Sequence, residues 1–197
     1  MPSLMKLSTY SETGDLNVIV ETPQGSRNKF DYDDGARLFY LDHVLPRGAT
    51  FPFDFGFVPS TLGDDGDPLD ILVLMDQPAF AGCLVRARLI GVIEAEQAEE
   101  AKTFRNDRLL AVAAASQMHS HIDSIDQLPG ELLDEIEHFF ASYNAMRDRR
   151  FKPIGRKGPD RAAALVQEGM RKVLEGQQPE PKAKKKKAKK KGKGKKK

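Results

Sequence analysis

Asp65-Gly66-Asp67-Pro68-Leu69-Asp70 packs three carboxylates into six positions, with Asp64 just ahead and an apolar run at 71–75 directly behind. Like charges this close oppose one another's ionisation unless a cation sits among them. Hard divalent cations such as Mg²⁺ take oxygen ligands, often one or two carboxylates plus the phosphates of a substrate. The chemistry these residues suggest is a Mg²⁺ site acting on a phosphate compound. In an extended segment, Asp65 and Asp67 would point to one face. Pro68 biases Asp67 away from helix, and Gly66 permits a turn or a close ligand approach. The competing reading is a polar turn feeding a strand, since Asp, Gly and Pro are ordinary turn residues.

Two other aspartate motifs are excluded. A calcium-binding EF-hand loop needs Gly at its sixth position and Glu at its twelfth; counted from Asp65 these are Asp70 and Asp76. Phosphatases with a nucleophilic Asp-x-Asp place it after an apolar strand, and here the apolar run follows the carboxylates.

The elements that must position these residues are legible along the chain. Val18-Ile19-Val20 predicts a short strand, and the segments 29–33 and 37–44 flank Asp34-Gly35 as a hairpin. Phe51, Phe53, Phe55 and Phe57 alternate with other residues, which predicts four rings on one face of a strand. Further strands are expected at 71–75, 84–94 and 108–114. Leu132, Leu133, Ile136, Phe139, Phe140, Tyr143 and Met146 follow helical spacing, with Pro129 near the start. A second helix is expected from about Asp160 to Glu175, closed by Gly176. Many short strands followed by helices give an α+β class: a small antiparallel barrel with C-terminal helices packed outside.

Charge divides the chain in two. The 197 residues carry a formal net charge of +2, yet positions 182–197 hold 12 Lys and no acid. The remainder sets 19 basic residues against 29 acidic ones, a body near −10. A catalytic domain is expected over 1–176 and a disordered basic tail over 177–197, with a Gln/Pro/Glu linker at 177–181. Such a tail can contact polyanions or nucleic acid through counterion release. Cys83 is the single cysteine, so no intrachain disulfide forms, in keeping with a reducing compartment. There is no apolar signal-peptide core and no stretch of membrane-spanning length, so a cytoplasmic location is expected.

With these blocks in hand, the chain resembles the soluble family I inorganic pyrophosphatases from about Val18 to Glu175. The residues that carry the resemblance are the 51–59 block leading into Asp65-Gly66-Asp67-Pro68-Leu69-Asp70, then Glu21 and Pro23 ahead of Lys29, Asn106-Asp107-Arg108-Leu109, and Phe139-Phe140 before Tyr143. The resemblance implies an OB-like barrel, hydrolysis of pyrophosphate by metal-activated water with Mg²⁺, and a homo-oligomer, usually a hexamer. It implies Asp65 and Asp70 as metal ligands, Asp67 as the group that orients or deprotonates the attacking oxygen, and Glu21 and Asp31 as outer acids. Lys29, Arg108 and Tyr143 would bind phosphate.

Several positions depart from the family pattern. Asn106 stands where a catalytic Asp is expected, with Asp107 adjacent as the alternative metal ligand. A second expected acid has four candidates, Glu94, Glu96, Glu99 and Glu100. His43 occupies a phosphate-binding position usually held by Arg or Lys, with Arg47 as a potential substitute. Phe55 replaces a Tyr. Asn144 replaces a Lys, with Arg147, Arg149, Arg150 or Lys152 as substitutes. These departures motivate a rival, a catalytically degenerate relative that binds metal and phosphate without turnover. A weaker third reading is a nucleic-acid-binding OB-type module. His119 and His121 lack a paired ligand motif.

Overall fold

The computed structural model describes residues 3–176 apart from Ala101. The linker and the Lys-rich stretch, for which the sequence predicts a disordered tail, lie outside the described residues. Among the described residues are nine strands: β1 Leu16–Thr22, β2 Asn28–Asp33, β3 Leu38–Val44, β4 Asp54–Phe57, β5 Asp70–Leu74, β6 Leu84–Glu99, β7 Lys102–Arg105, β8 Arg108–Ala113 and β9 Arg149–Lys157. Two helices accompany them, α1 Gly130–Ala145 and α2 Pro159–Leu174.

Five strands close a ring. Strand β1 pairs with β4, β4 with β5, β5 with β8, β8 with β6, and β6 returns to β1. This is the barrel that the sequence predicts; β5 and β8 run parallel within an otherwise antiparallel ring. Closure removes the exposed strand edges that invite aggregation. Strands β5 and β8 are apolar runs because both their faces are covered. Leu72, Leu74, Leu110 and Val112 join the core beneath α1, with Ile136 and Phe140. Ile71, Val73, Leu109 and Ala111 join the core beneath α2, with Ala162 and Val166.

The four phenylalanines do not share one strand face. Strand β4 begins only at Asp54. Phe51 and Phe55 enter the α1 core with Phe53 against it, whereas Phe57 packs with Ile19 and Tyr32. The register of β1 against β4 slips between Val20 and Thr22, a bulge at Glu21 that turns the ladder as the barrel curves. Gly56 makes this close approach feasible: a Cβ there would stand 1.9 Å from the Ile19 carbonyl oxygen.

Candidate active site

The register of the ring builds the site. Because β5 and β8 are parallel with Ile71 beside Leu109, their first residues, Asp70 and Arg108, stand side by side. The Arg108 guanidinium lies 2.8 Å from the Asp70 carboxylate and also donates to the Asn106 side-chain oxygen. The carboxylates before β5 are held by a turn rather than an extended segment, which corrects the shared-strand-face expectation. Gly66 has a positive φ of 87°, the Gly63 amide donates to the Asp67 carbonyl, and the Asp67 amide donates to Asp65 Oδ1 at 3.1 Å. The turn still gathers the three acids. Burial, then the charges of Asp70 and Asp67, push the Asp65 carboxyl up to about 7, against the opposing pull of the Asp67 amide and Arg108.

A cleft of about 110 Å³ opens here, lined by Asp64, Asp65, Asp70, Asn106, Asp107 and Arg105, with Lys172 and Arg161 reaching in from α2. Asp67 is not on its wall. Both Asn106 and Asp107 face the cleft, but they are differently engaged. Asn106 is tied to Arg108 and Gln97. Asp107 accepts from the Ala95 amide at 2.8 Å and from Arg105 at 2.8 Å. Of the four glutamates, Glu94 joins this network, 3.1 Å from Arg105 and 3.0 Å from Arg161. Burial would raise its carboxyl, but the two arginines outweigh burial and hold it below the usual range. Glu99 is drawn off to Arg149. The arginines Arg105 and Arg161, and Lys172 on Asp64, went unnoticed in the sequence; an Arg two residues ahead of Asp107 on a strand was the available signal for the first.

A second group stands on β2, β3 and α1. The Lys29 ammonium lies 3.0 Å from Glu21 and 2.6 Å from Asp31, all three buried. Glu21 also accepts from the Tyr32 amide at 2.9 Å. His43, across the hairpin from Lys29, bonds through Nδ1 to Asp42 at 2.8 Å and lies ring to ring with Tyr143 at 5.4 Å. Arg147 bridges the Tyr143 hydroxyl at 2.9 Å and Asp42 at 3.1 Å. Burial raises the Tyr143 hydroxyl above its ordinary value despite the charges of Lys29 and Arg147. The hydrogen bond from His43 holds the Asp42 carboxyl below the usual range, with help from Arg147. The cation of this group is thus Arg147, which ties Asp42, the partner of His43, to Tyr143; Arg47 is exposed. Asn144 is buried and donates to the Phe140 carbonyl at 2.9 Å, so it serves the helix. Asp42 was missed in the sequence, where only its position beside His43 marked it.

The two groups share an aromatic floor. Lys29 stands 4.8 Å over Phe55, Arg108 stands 4.8 Å over Phe140, and Arg147 stands 5.8 Å from the Tyr143 ring. Those rings touch in sequence, Phe55 to Phe140 at 5.9 Å and Phe140 to Tyr143 at 6.5 Å. Three cations therefore stand along one row of rings: Arg108, paired with Asp70, at the middle, Lys29, paired with Glu21 and Asp31, on one side, and Arg147, paired with Asp42, on the other. Such a row suits an elongated anion with charge at both ends.

The chain matches the sequence profile of the family described as Inorganic pyrophosphatase over residues 18–174. It belongs to the inorganic pyrophosphatase family. The inorganic pyrophosphatase of Synechocystis sp. is 39% identical over 165 residues, covering 84% of this chain and 95% of that one. The inorganic pyrophosphatase of Thermus thermophilus is 39% identical over 155 residues, covering 77% and 85%. Its crystal structure superposes with a TM-score of 0.81 at 32% identity, covering 88% of this chain and 99% of that chain. A structure of inorganic pyrophosphatase from Helicobacter pylori gives a TM-score of 0.78 at 31% identity, covering 86% and 99%. The pyrophosphatase fold accounts for the OB-like ring and both helices.

Family I pyrophosphatases are metal-dependent, and the acid group fits a hard cation. Burial, and after it the charges of Asp70 and Asp67, raise the Asp65 carboxyl, and a cation held by these oxygen donors would favour its ionised form. Among the described residues no three His, Cys, Asp or Glu side chains are gathered as a ready-made cage.

Proposed function

We propose that this chain hydrolyses inorganic pyrophosphate to two phosphates with Mg²⁺. The observation that carries this reading is the row of Lys29, Arg108 and Arg147 on contiguous rings, with the Asp65–Asp70 turn brought beside its middle cation, Arg108, through Asp70. Asp65 and Asp70, with Asp107, Glu21 and Asp31, are the groups to hold the cation. When bound, Mg²⁺ supplies charge to the phosphate oxygens and lowers the pKa of the attacking water.

The chain's own residues do the rest. Asp67 accepts the proton of the attacking water. Arg108 and Lys29 neutralise phosphate charge as the new bond forms, Arg108 by exchanging part of its pairing with Asp70 and Asn106 for phosphate oxygens. Tyr143 accepts from Arg147 and keeps its own hydroxyl proton to donate to a phosphate oxygen. His43 contacts the same end. Positioning and electrostatics of this kind carry most phosphoryl-transfer catalysis, with no covalent enzyme intermediate.

We assign residues 1–176 as the catalytic domain and 177–197 as a basic tail that contacts polyanions or nucleic acid without sequence preference. We further assign a homo-oligomer, a hexamer by family resemblance, and a cytoplasmic location. Among the described residues no helix is long and apolar enough to cross a membrane. Phosphate release from pyrophosphate with Mg²⁺ tests the reading against the degenerate relative. The parent is expected to turn over and Asp67→Asn, with its circular dichroism unchanged, to lose at least about 100-fold in kcat. A folded parent that binds pyrophosphate and releases no phosphate would sustain the rival.

A further inference from the structure

Asn106 stands on the wall of the acid cleft as a neutral group, and its partners force its orientation. The Arg108 guanidinium can only donate, so the Asn106 side-chain oxygen turns toward it. The Asn106 amide nitrogen then faces Gln97, buried on β6, and donates to its Oε1 at 3.1 Å. The hydrogen bonds run in one direction, from Arg108 to Asn106 and from Asn106 to Gln97. Asn106 therefore brings no negative charge to the wall, and its oxygen already faces a fixed positive one.

Asp107, the next residue, does not replace the missing charge. Its Oδ1 takes the Ala95 amide at 2.8 Å and Arg105 through Nε at 3.1 Å and Nη2 at 2.8 Å. Arg105 offsets its charge, and none of these donors reaches Oδ2. The other acids on the wall are offset too. Asp64 and Glu168 share Lys172, at 2.6 Å and 3.7 Å, and Asp70 has Arg108 at 2.8 Å. Among the described residues, Asp65 alone of the wall acids has no ion pair. The wall sets five carboxylates, Asp64, Asp65, Asp70, Asp107 and Glu168, against three cations, Arg105, Arg161 and Lys172. Glu94 and Arg108, paired to this network, cancel each other. The surplus is two negative charges, the charge of one divalent cation.

We infer that the Asn106–Gln97 amide pair sets the number of divalent cations held by the substrate-free protein at one per chain, and that a carboxylate at 106 would admit a second. This rests on the assignment of the cation to Asp65 and Asp70 in the pyrophosphatase reading above. The pair sets cation number through the charge it withholds. It also leaves Arg108 with one carboxylate partner instead of two, so the guanidinium stays available to phosphate oxygens.

The probe is Mn²⁺, with the free ion counted by electron paramagnetic resonance in the full-length protein without pyrophosphate. We expect one tightly held Mn²⁺ per chain in the parent and none in Asp65→Asn. In Asn106→Asp a second Mn²⁺ should bind at least about 10-fold more tightly than any second ion on the parent, a factor that one added charge beside a divalent ion supplies even at the dielectric of water. Gln97→Glu puts the charge at the other end of the pair and should tighten the second ion by a smaller factor; it decides the matter should Asn106→Asp not fold. Two equally tight ions on the parent would overturn the inference. So would a folded Asn106→Asp that binds Mn²⁺ as the parent does, or a tight ion that survives Asp65→Asn. A parent that holds one such ion and releases no phosphate from pyrophosphate keeps this inference and loses the catalytic reading. A parent that turns over while holding two tight ions does the reverse.

Discussion

Asp65 sits where like charges are least comfortable, and its titration has a definite sign. Its carboxyl is raised to about 7 from 3.8. Between those values the folded protein keeps a proton that the unfolded chain has released, so stability falls as pH rises through that window when no divalent cation is present. Asp65→Asn removes the effect. In chelator near pH 8 we expect it to be more stable than the parent by about 2–4 kcal/mol, the difference fading toward about pH 4. Urea unfolding at the two pH values checks this, and equal stability throughout would contradict it. Lys29 presents the reverse case. Its ammonium is the shared partner of buried Glu21 and Asp31. Lys29→Met strands both acids, so a loss of about 3–5 kcal/mol at neutral pH is expected, shrinking in acid as the carboxyls protonate. The site residues were legible where like residues crowd, as in the Asp65–Asp70 block, and where they flank a turn, as with Lys29 and Asp31. Asp42, Arg105 and Arg161 gave little sign, because their roles come from contacts between elements distant in sequence: Asp42 with Arg147, Arg105 with Glu94, Arg161 with Glu94.

At the level of elements, periodicity found most of the ring and both helices. Strands β5 and β8 are near-continuous apolar runs, β1 buries Leu16, Val18, Ile19 and Val20, and α1 and α2 carry clear apolar stripes. Strand β9 escaped notice for a physical reason. Its sequence, Arg149 to Lys157, is strongly basic and includes Pro153, which reads as loop. Among the described residues it pairs with β6 alone, and Pro153 falls beside the register shift between Glu94 and Ala95, a place where a missing amide does no harm. The long continuation of β6 to Glu99 is what gives β9 and β7 their partner. The aromatic alternation misled in the other direction, since the barrel's bend at Glu21 sends Phe57 to a different cluster from Phe51 and Phe55. Gly56 lies at that bend. Gly56→Ala would drive a methyl into the Ile19 backbone, so a loss near the top of the roughly 1–3 kcal/mol range for overpacking is expected. Thermal melting of the purified variant checks it; an unchanged midpoint would show that β1 and β4 can separate freely.

For the whole molecule, charge is the feature that composition conceals. An acidic body near −10 would repel a polyanion at long range, while 12 Lys beyond residue 181 bring the sum to +2. Helix α2 ends at Leu174, and its Lys172 already reaches Asp64 at the cleft, 2.6 Å away. Deleting 182–197 should abolish salt-sensitive retention on a polyphosphate or RNA matrix and leave the circular dichroism of the body unchanged. Retention that survives the deletion would place polyanion binding on the body instead. The account as a whole turns on one chemical claim, that the acid turn and the row of cations together cleave a phosphoanhydride. The direct measurement is phosphate release from pyrophosphate by the full-length protein, with Mg²⁺ and with chelator. The account predicts two phosphates for each pyrophosphate consumed, sustained over many turnovers and lost in chelator. Pyrophosphate recovered intact from a folded, Mg²⁺-supplied protein would contradict it.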